Sequence, residues 1–469
     1  MKFKIMIYLF KQSITMTTLT ETNSDQTTEN SFSKELTREN ITALSNKIRL
    51  SDSDTVNNLD VFCYNTCTRD DPQIVKECRG AVFNGDTLVL KGFPFTDEYS
   101  LKDFDSLWNL LENKDLNLYD SHEGCLLRVF HFNNKWHVST HRKLNAFRSK
   151  WSSKVSFGQM FVDALEYLYE NNKSFKKKVD VSDNDKVYNK FLDSLNTSNQ
   201  YMFLLRNSYE NRIVCQPPEN HTVYHVGTFL KDGSLTLEED VGVEQPTKHS
   251  FTTKQEMSDY VQNLDINNIQ GLYVYCDGNQ YKLLNDDYVE LFETRGNEPS
   301  IKFRYLQVRM DGKQRQNLYY LYPRHADSFD DYENILYNVA KKINSDYISR
   351  FIKKKYVTVP KEEFGVMKKC HAWHLEERVR NRISFTKVIE VLNEQTPSQL
   401  NKIIKRFKTD QYNKENGITP TTNRYRPRAR SNNTQREMNV DNPEIKDVTI
   451  DEPEPMTLDN NEFEVLGNN

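Results

Sequence analysis

The stretch Asp120-Ser121-His122-Glu123-Gly124-Cys125-Leu126-Leu127-Arg128-Val129-Phe130 joins a polar tetrad to an apolar run. Residues 126–132 read as a strand. Asn133-Asn134 then turns the chain into a second strand over 136–140, so the run opens a hairpin. Gly124, at the junction, has no side chain and lets another backbone come close. A hydroxyl, an imidazole and a carboxylate precede it. What they do depends on the elements around them.

Those elements make an α+β pattern. Segments 81–83 and 87–90 flank Asn84-Gly85-Asp86, and 271–276 and 281–284 flank Asp277-Gly278-Asn279, both hairpin signals. Further strands are expected at 201–205, 212–215 and 224–229. Phe161, Leu165 and Leu168 share one face of a helix over 157–171, and 180–195 reads as a weaker helix or a charged insertion. Farther on, Tyr332, Leu336, Val339, Ile343, Tyr347 and Phe351 recur at helical spacing. Segments 360–381 and 384–407 continue the pattern, with Thr396 capping a helix that starts at Pro397. The predicted organisation is a disordered, polar segment over 1–35, a domain of mixed, largely antiparallel sheets over 36–305, connecting strands over 306–325, an all-helical domain over 326–408, and a disordered tail over 409–469. The tail is basic, then acidic.

Composition narrows the function classes. With 37% hydrophobic and 12% aromatic residues, 469 residues suffice for two domains plus tails. A net charge of −4 excludes a globally basic polyanion binder and confines any nucleic-acid surface to local patches. The seven cysteines are scattered without a CxxC pair, which points to reduced thiols in a cytosolic setting. The apolar run at 5–10 is too short for a secretory signal or a membrane span, and Met16 serves as well as Met1 for a start. The chain reads as soluble and unsecreted.

Taken in order, the segments over roughly 61–305 resemble the adenylyltransferase domain of RNA ligases, particularly the phage T4 RNA ligase 1 type. Glu77-Cys78-Arg79-Gly80-Ala81-Val82-Phe83 is similar to the Arg-Gly strand before the active lysine. Lys91-Gly92-Phe93-Pro94-Phe95 loosely matches a Lys-Phe-x-Lys-Phe-Phe region. Ser121-His122-Glu123-Gly124 falls on the Lys-x-x-Gly nucleophile motif, and Tyr209-Glu210-Asn211-Arg212-Ile213-Val214 resembles the third motif. Gln270-Gly271-Leu272-Tyr273-Val274 resembles the Glu-Gly-x-Val motif, and Tyr281-Lys282-Leu283-Leu284 falls on the closing Lys-x-Lys. Each motif alone is weak; their order and spacing carry the resemblance. The helical region, with Lys355-Tyr356-Val357-Thr358-Val359-Pro360-Lys361-Glu362-Glu363, looks like appendages of RNA-ligase-like proteins of large DNA viruses. It is also similar to the immediate-early protein family of iridoviruses.

The resemblance implies a nucleotidyltransferase fold and a chemistry. In the family a lysine attacks the α-phosphate of ATP to give lysyl-AMP, carboxylates position the sugar and hold Mg²⁺, and a lysine pair neutralises the phosphates. This chain departs at Ser121, at Leu205 six residues before Asn211, at Gln270 and at Leu284. A serine hydroxyl cannot form the phosphoramidate, and a leucine binds neither metal nor ribose. His122, one residue along a strand, is expected on the face opposite Ser121 and so is no base for it. Arg79, Gly124, Lys282 and Arg212 survive. The three cations are implied as ligands of a phosphate or an RNA backbone, and Gly124 as structural. A surface salt bridge for Arg79 and a structural ion pair for Arg212 are the plain alternatives.

Other clusters carry less. Lys143 and Arg148, with Arg142, Lys150, Trp136, Phe147 and Trp151, combine cations with aromatics, which suits stacking on single-stranded bases. A turn packed by its aromatics with solvated lysines is the plain reading. Cys370, His371 and His374 can share a helical face but lack a fourth ligand, so helix packing is expected and no metal. Lys353-Lys354-Lys355 reads as a solvated helix end, and a second basic group, Lys402, Lys405, Arg406 and Lys408, closes the last helix. Arg424, Arg426, Arg428 and Arg430 form a polyanion-binding or nuclear-targeting tract.

The expected function is that of a catalytically degenerate RNA-ligase-like viral early protein. It would bind nucleic acid, RNA favoured, or other viral proteins without forming lysyl-AMP, in the host cytoplasm, a viral factory or the nucleus, away from membranes. One alternative is an active RNA ligase with a displaced nucleophile, Lys143 or Lys91, which would require ATP and Mg²⁺; no cofactor is expected otherwise. The other is a structural or replication-factory scaffold.

Overall fold

A computed structural model describes residues 36–182, 185–208 and 213–418. Four strands near its start, β1 (Ile48–Asp54), β2 (Leu59–Tyr64), β3 (Arg79–Asn84) and β4 (Thr87–Leu90), form a sheet in sequence order. β5 (Asp97–Ser100) and β6 (Asn117–Ser121) enter a second sheet. The chain then crosses to a third with β7 (Cys125–Phe132), β8 (Lys135–Ser139), β9 (Gln200–Arg206), β10 (Thr222–Phe229) and β11 (Leu235–Thr236). It returns to the second with β12 (Lys248–His249), β13 (Gly271–Cys276) and β14 (Asn279–Leu284). The strand orders are β12-β6-β13-β14-β5 and β11-β10-β9-β7-β8, and among the described residues only the β14–β5 pairing is parallel.

Strand alternation sets where the cores lie. On β7 and β9, Leu126, Phe130, Met202 and Leu204 face inward against Tyr119 and Tyr273 of the second sheet and Val61 and Val82 of the first. The intervening residues, Leu127, Val129, Phe203 and Leu205, face outward. They pack on helix Phe157–Asn171, and the same apolar cluster runs on without a break into the C-terminal helices through Tyr305, Phe329, Leu336 and Ile403. The outer face of the second sheet is covered by helices Phe104–Leu111 and Lys254–Gln262. The mixed, largely antiparallel sheets and the helical C-terminal region make this an α+β chain.

Three expectations need correcting. Residues 306–325 are helical, not connecting strands: helix Ile301–Val308 buries Ile301, Tyr305, Leu306 and Val308 at helical spacing, and helix Gly312–Leu321 is capped by the Asp311 carboxylate, which accepts from the Lys313 and Gln314 amides. The last helix, capped by Thr396 as expected, continues to Glu415, past the expected start of the tail. Its polar final turns made the boundary invisible to apolar periodicity. Ile213 to Cys215 is a bend and not a strand, because its amides are committed elsewhere. The segment 1–35 and the tail beyond residue 418 lie outside the described residues.

Gly271 pairs with Ser121 on one side and Leu284 on the other. A Cβ there would run into the Leu283 carbonyl oxygen, a backbone atom with no room to yield. Gly271→Ala is therefore expected to destabilise the protein by about 1–3 kcal/mol in chemical denaturation. Gly312→Ala, with open space around its Cβ, should be neutral or stabilising.

Candidate functional site

The Ser-His-Glu-Gly tetrad is the crossover between the two large sheets. β6 ends at Ser121 and β7 begins at Cys125, so the tetrad lies at the base of the cleft between them. Glu123 is buried and turned into the protein. Its carboxylate accepts from the Val214 amide (2.9 Å), the Cys215 amide (3.1 Å) and the Tyr288 hydroxyl (2.9 Å). Burial raises its pKa, while these donors favour the anion. Gly124 is structural, since a Cβ would lie 2.7 Å from the Leu205 carbonyl oxygen.

Two of the four altered positions satisfy each other. Gln270 Nε2 donates to Ser121 Oγ (2.9 Å) and to the His122 carbonyl (3.0 Å), and the Gln270 amide donates to the Ser121 carbonyl (2.9 Å). Both residues are buried. Leu205 points away from the cleft into the outer core, and its neighbour Leu204 lines the cleft. The position facing the cleft is thus one residue earlier than the sequence spacing indicates, and it too is a leucine. Leu284 is also core, packed with Tyr288 and Leu291.

The cleft holds a small, narrow cavity. Tyr119, Tyr273 and Tyr275 line one wall and Leu204, His225 and Val226 the other. The walls are tied together by the Tyr275 hydroxyl, which donates to the Val226 carbonyl at 3.1 Å. His122 lines the same cavity as Ser121, against expectation, because the strand ends at Ser121 and alternation stops there. Its ring stacks on Tyr224 (4.9 Å, 5°), and burial pushes it down to about 4, with the charge of Arg206 adding to the effect. Among the described residues no lysine lines the cavity, and no three His, Cys, Asp or Glu side chains are grouped to hold a metal.

Arg79 and Lys282 lie outside the cavity lining. Lys282 is fully buried, with its ammonium 2.9 Å from Glu98. Arg79 is buried and donates to the Pro94 carbonyl (3.3 Å). Arg128, which sequence reasoning passed over, is wholly buried on β7, and its guanidinium donates to the Gly80 and Thr140 carbonyls. An arginine inside the apolar run Leu126-Leu127-Arg128-Val129-Phe130 was the available signal. Lys91 is half-buried over Phe229, and burial pushes its amine down to about 8. Lys143 is half-buried and Arg148 exposed. Trp151 is core, with the Arg295 guanidinium over its ring. In the helical region, Cys370 is buried in the apolar cluster, His371 bonds the Tyr347 hydroxyl (3.0 Å) and His374 faces the Asn381 carbonyl (2.6 Å). Arg212 and the tract Arg424, Arg426, Arg428 and Arg430 lie outside the described residues.

His122 and His225 are both pushed from 6.5 to about 4, chiefly by burial. Over that range the unfolded chain takes up protons that the folded one refuses, so stability falls as pH drops. His122→Phe, which keeps a ring against Tyr224, should make that fall shallower by up to about 1.4 kcal/mol per pH unit in denaturation series between neutral pH and pH about 4.5. A slope equal to the parent's would mean that His122 titrates normally.

No protein-family model matches the chain. It is 28% identical over 405 residues to the immediate-early protein ICP-46 homologue of invertebrate iridescent virus 6, covering 79% of this chain and 86% of that protein. The ICP-46 homologue of invertebrate iridescent virus 3 is 30% identical over 289 residues, 59% of this chain and 60% of the relative. A protein of Autographa californica nuclear polyhedrosis virus, assigned as a bifunctional polynucleotide kinase/RNA ligase, is 25% identical over 260 residues, 51% of this chain and 34% of its own. Among solved structures, an archaeal ATP-dependent RNA ligase is a distant likeness: TM-score 0.35, 11% identity, 62% of this chain and 72% of that one. Among the described residues no helix is long and apolar enough to cross a membrane. The chain is thus similar to the iridovirus ICP-46 immediate-early proteins over most of its length and, over about half of it, to a viral protein assigned as an RNA ligase.

Proposed function

We propose that this ligase-like viral protein has lost lysyl-AMP formation and keeps the framework to hold nucleic acid, RNA first, in the host cytoplasm or a viral factory. The observation that carries this reading is the hydrogen bond from Gln270 Nε2 to Ser121 Oγ at 2.9 Å, at the positions where a ligase needs an amine and a carboxylate. A hydroxyl held as an acceptor by a neutral amide has no base to activate it, and His122 is not bonded to it among the described residues. Removal of the covalent nucleophile abolishes the pathway, not merely a few kcal/mol of it. The ion pair of Lys282 with Glu98 also speaks for a lysine spent on structure.

A displaced nucleophile is the second reading, and one observation favours it: the Lys91 amine is lowered to about 8, the property a nucleophilic lysine needs. Lys91 does not line the cavity that contains Ser121, so this reading also requires a rearranged cleft.

Incubation of the full chain with α-phosphate-labelled ATP and Mg²⁺ or Mn²⁺, followed by denaturing electrophoresis, separates the two. The expected result is no label on the protein. A covalent adduct overturns the proposal, and its loss in Lys91→Ala would assign the nucleophile.

A further inference from the structure

The helical region ends in a surface that the cleft chemistry leaves unused. The long helix Ala326–Tyr347 loosens into a π-turn, Ile348–Ile352, and Lys354 then takes a left-handed conformation (φ 54°). Helix Lys361–Glu376 brings a second turn to the same place. The two are pinned through histidines: the His371 ring stacks on Phe351 at 4.1 Å and bonds the Tyr347 hydroxyl, while Asn381 folds 377–382 back onto the helix by donating to the Trp373 carbonyl (2.7 Å). Besides burial and His374, the charges of Lys354 on one turn and Arg378 on the other both push His371 down.

The two turns carry six cations, Lys353, Lys354 and Lys355 on one and Arg378, Arg380 and Arg382 on the other, with Glu376 and Glu377 as the nearby acids in sequence. Glu377 is taken by Arg380 (3.1 Å). Among the described residues no salt bridge engages the other five. In contrast, Arg406 and Lys408 of the last helix are paired with Glu362, Glu363 and Asp331. Beside the cations, Tyr356 is 90% exposed, and Ile352, Leu375 and Val379 are exposed too. A chain that carries a net charge of −4 concentrates positive charge and an unburied aromatic ring in one place.

We propose that this face, 352–356 with 375–382, binds single-stranded RNA, the cations on its phosphates and Tyr356 stacked on a base. The pairing of a loose string of positive charges with a solvent-facing ring fits a backbone with splayed bases better than it fits a folded protein partner, whose burial of five unpaired cations would need matching carboxylates. The inference rests on the reading of the chain as a nucleic-acid-binding ligase relative and names where the RNA is held.

Fluorescence anisotropy of the full chain with a labelled single-stranded oligoribonucleotide of mixed sequence, repeated as salt is raised, tests it. Lys354→Glu with Arg378→Glu should weaken binding by at least about tenfold and flatten the log–log salt dependence by roughly 0.7 for each phosphate no longer neutralised. Tyr356→Ala should weaken it by roughly tenfold with the salt slope kept. Lys402→Glu, exposed elsewhere on the last helix, should change neither. All these side chains are at least partly solvent-facing, and an unchanged circular-dichroism melt confirms an intact fold. If the parent binds RNA and the variants bind it equally well, this face is wrong and the ligase-like reading stands. If the parent binds no RNA, both fall. If the variants lose only adhesion to phosphatidylserine vesicles, the face serves a membrane surface and the inference is overturned.

Discussion

One buried carboxylate, that of Glu123, holds the crossover on which both large sheets depend. A chain that leaves one sheet and enters another within three residues must abandon its backbone ladder, and the groups it exposes have to be satisfied locally. Glu123 solves this from the side. It gathers the amides of Val214 and Cys215 and the hydroxyl of Tyr288, so the bend at Ile213, the crossover and helix Asp286–Arg295 are fixed to one point. Gly124 then lets β7 start against the Leu205 carbonyl. The cleft exists because the two sheets are joined at this angle, whatever chemistry it does or does not perform.

The altered positions form a self-consistent set. A lysine at 121 would need room and a counter-charge, and the residue opposite it is a neutral amide that already spends its donors on Ser121 and on the His122 carbonyl. A carboxylate at 204 or an ammonium at 284 would be buried among aliphatic and aromatic side chains at a cost of several kcal/mol unless paired. Serine, glutamine and leucines remove those obligations together. What remains polar is inward-looking: Lys282 on Glu98, Arg79 on the Pro94 carbonyl, Arg128 on two carbonyls of neighbouring strands. The aromatic rings of Tyr119, Tyr273 and Tyr275 fill the space between the sheets.

The helical region is not a loosely tethered appendage. Its apolar cluster is continuous with the outer face of the third sheet, and Arg309 binds both carboxylate oxygens of Glu333 (2.7 and 2.5 Å) and also Asn393, joining three helices at a buried guanidinium. A bidentate pair of this kind fixes geometry as well as energy. The basic turns at 353–355 and 378–382 therefore sit on a rigid support.

From the sequence alone, the three Asn- and Gly-bearing hairpins, the helix over 157–171 and the Thr396 cap were legible, since each is a local pattern with a local cause: turn residues needing positive φ, apolar spacing, a hydroxyl before an amide. Tertiary structure decided what spacing could not. It turned Leu205 outward and Leu204 inward, because a motif count does not know which way a strand faces. It placed His122 beside Ser121, because the strand stops between them. It made 306–325 helical through a cap and buried contacts to distant helices, and it drew the turns after Phe351 and after Glu376 together through His371 and His374. Local patterns are written in neighbours along the chain; orientation, burial and charge pairing belong to neighbours in space.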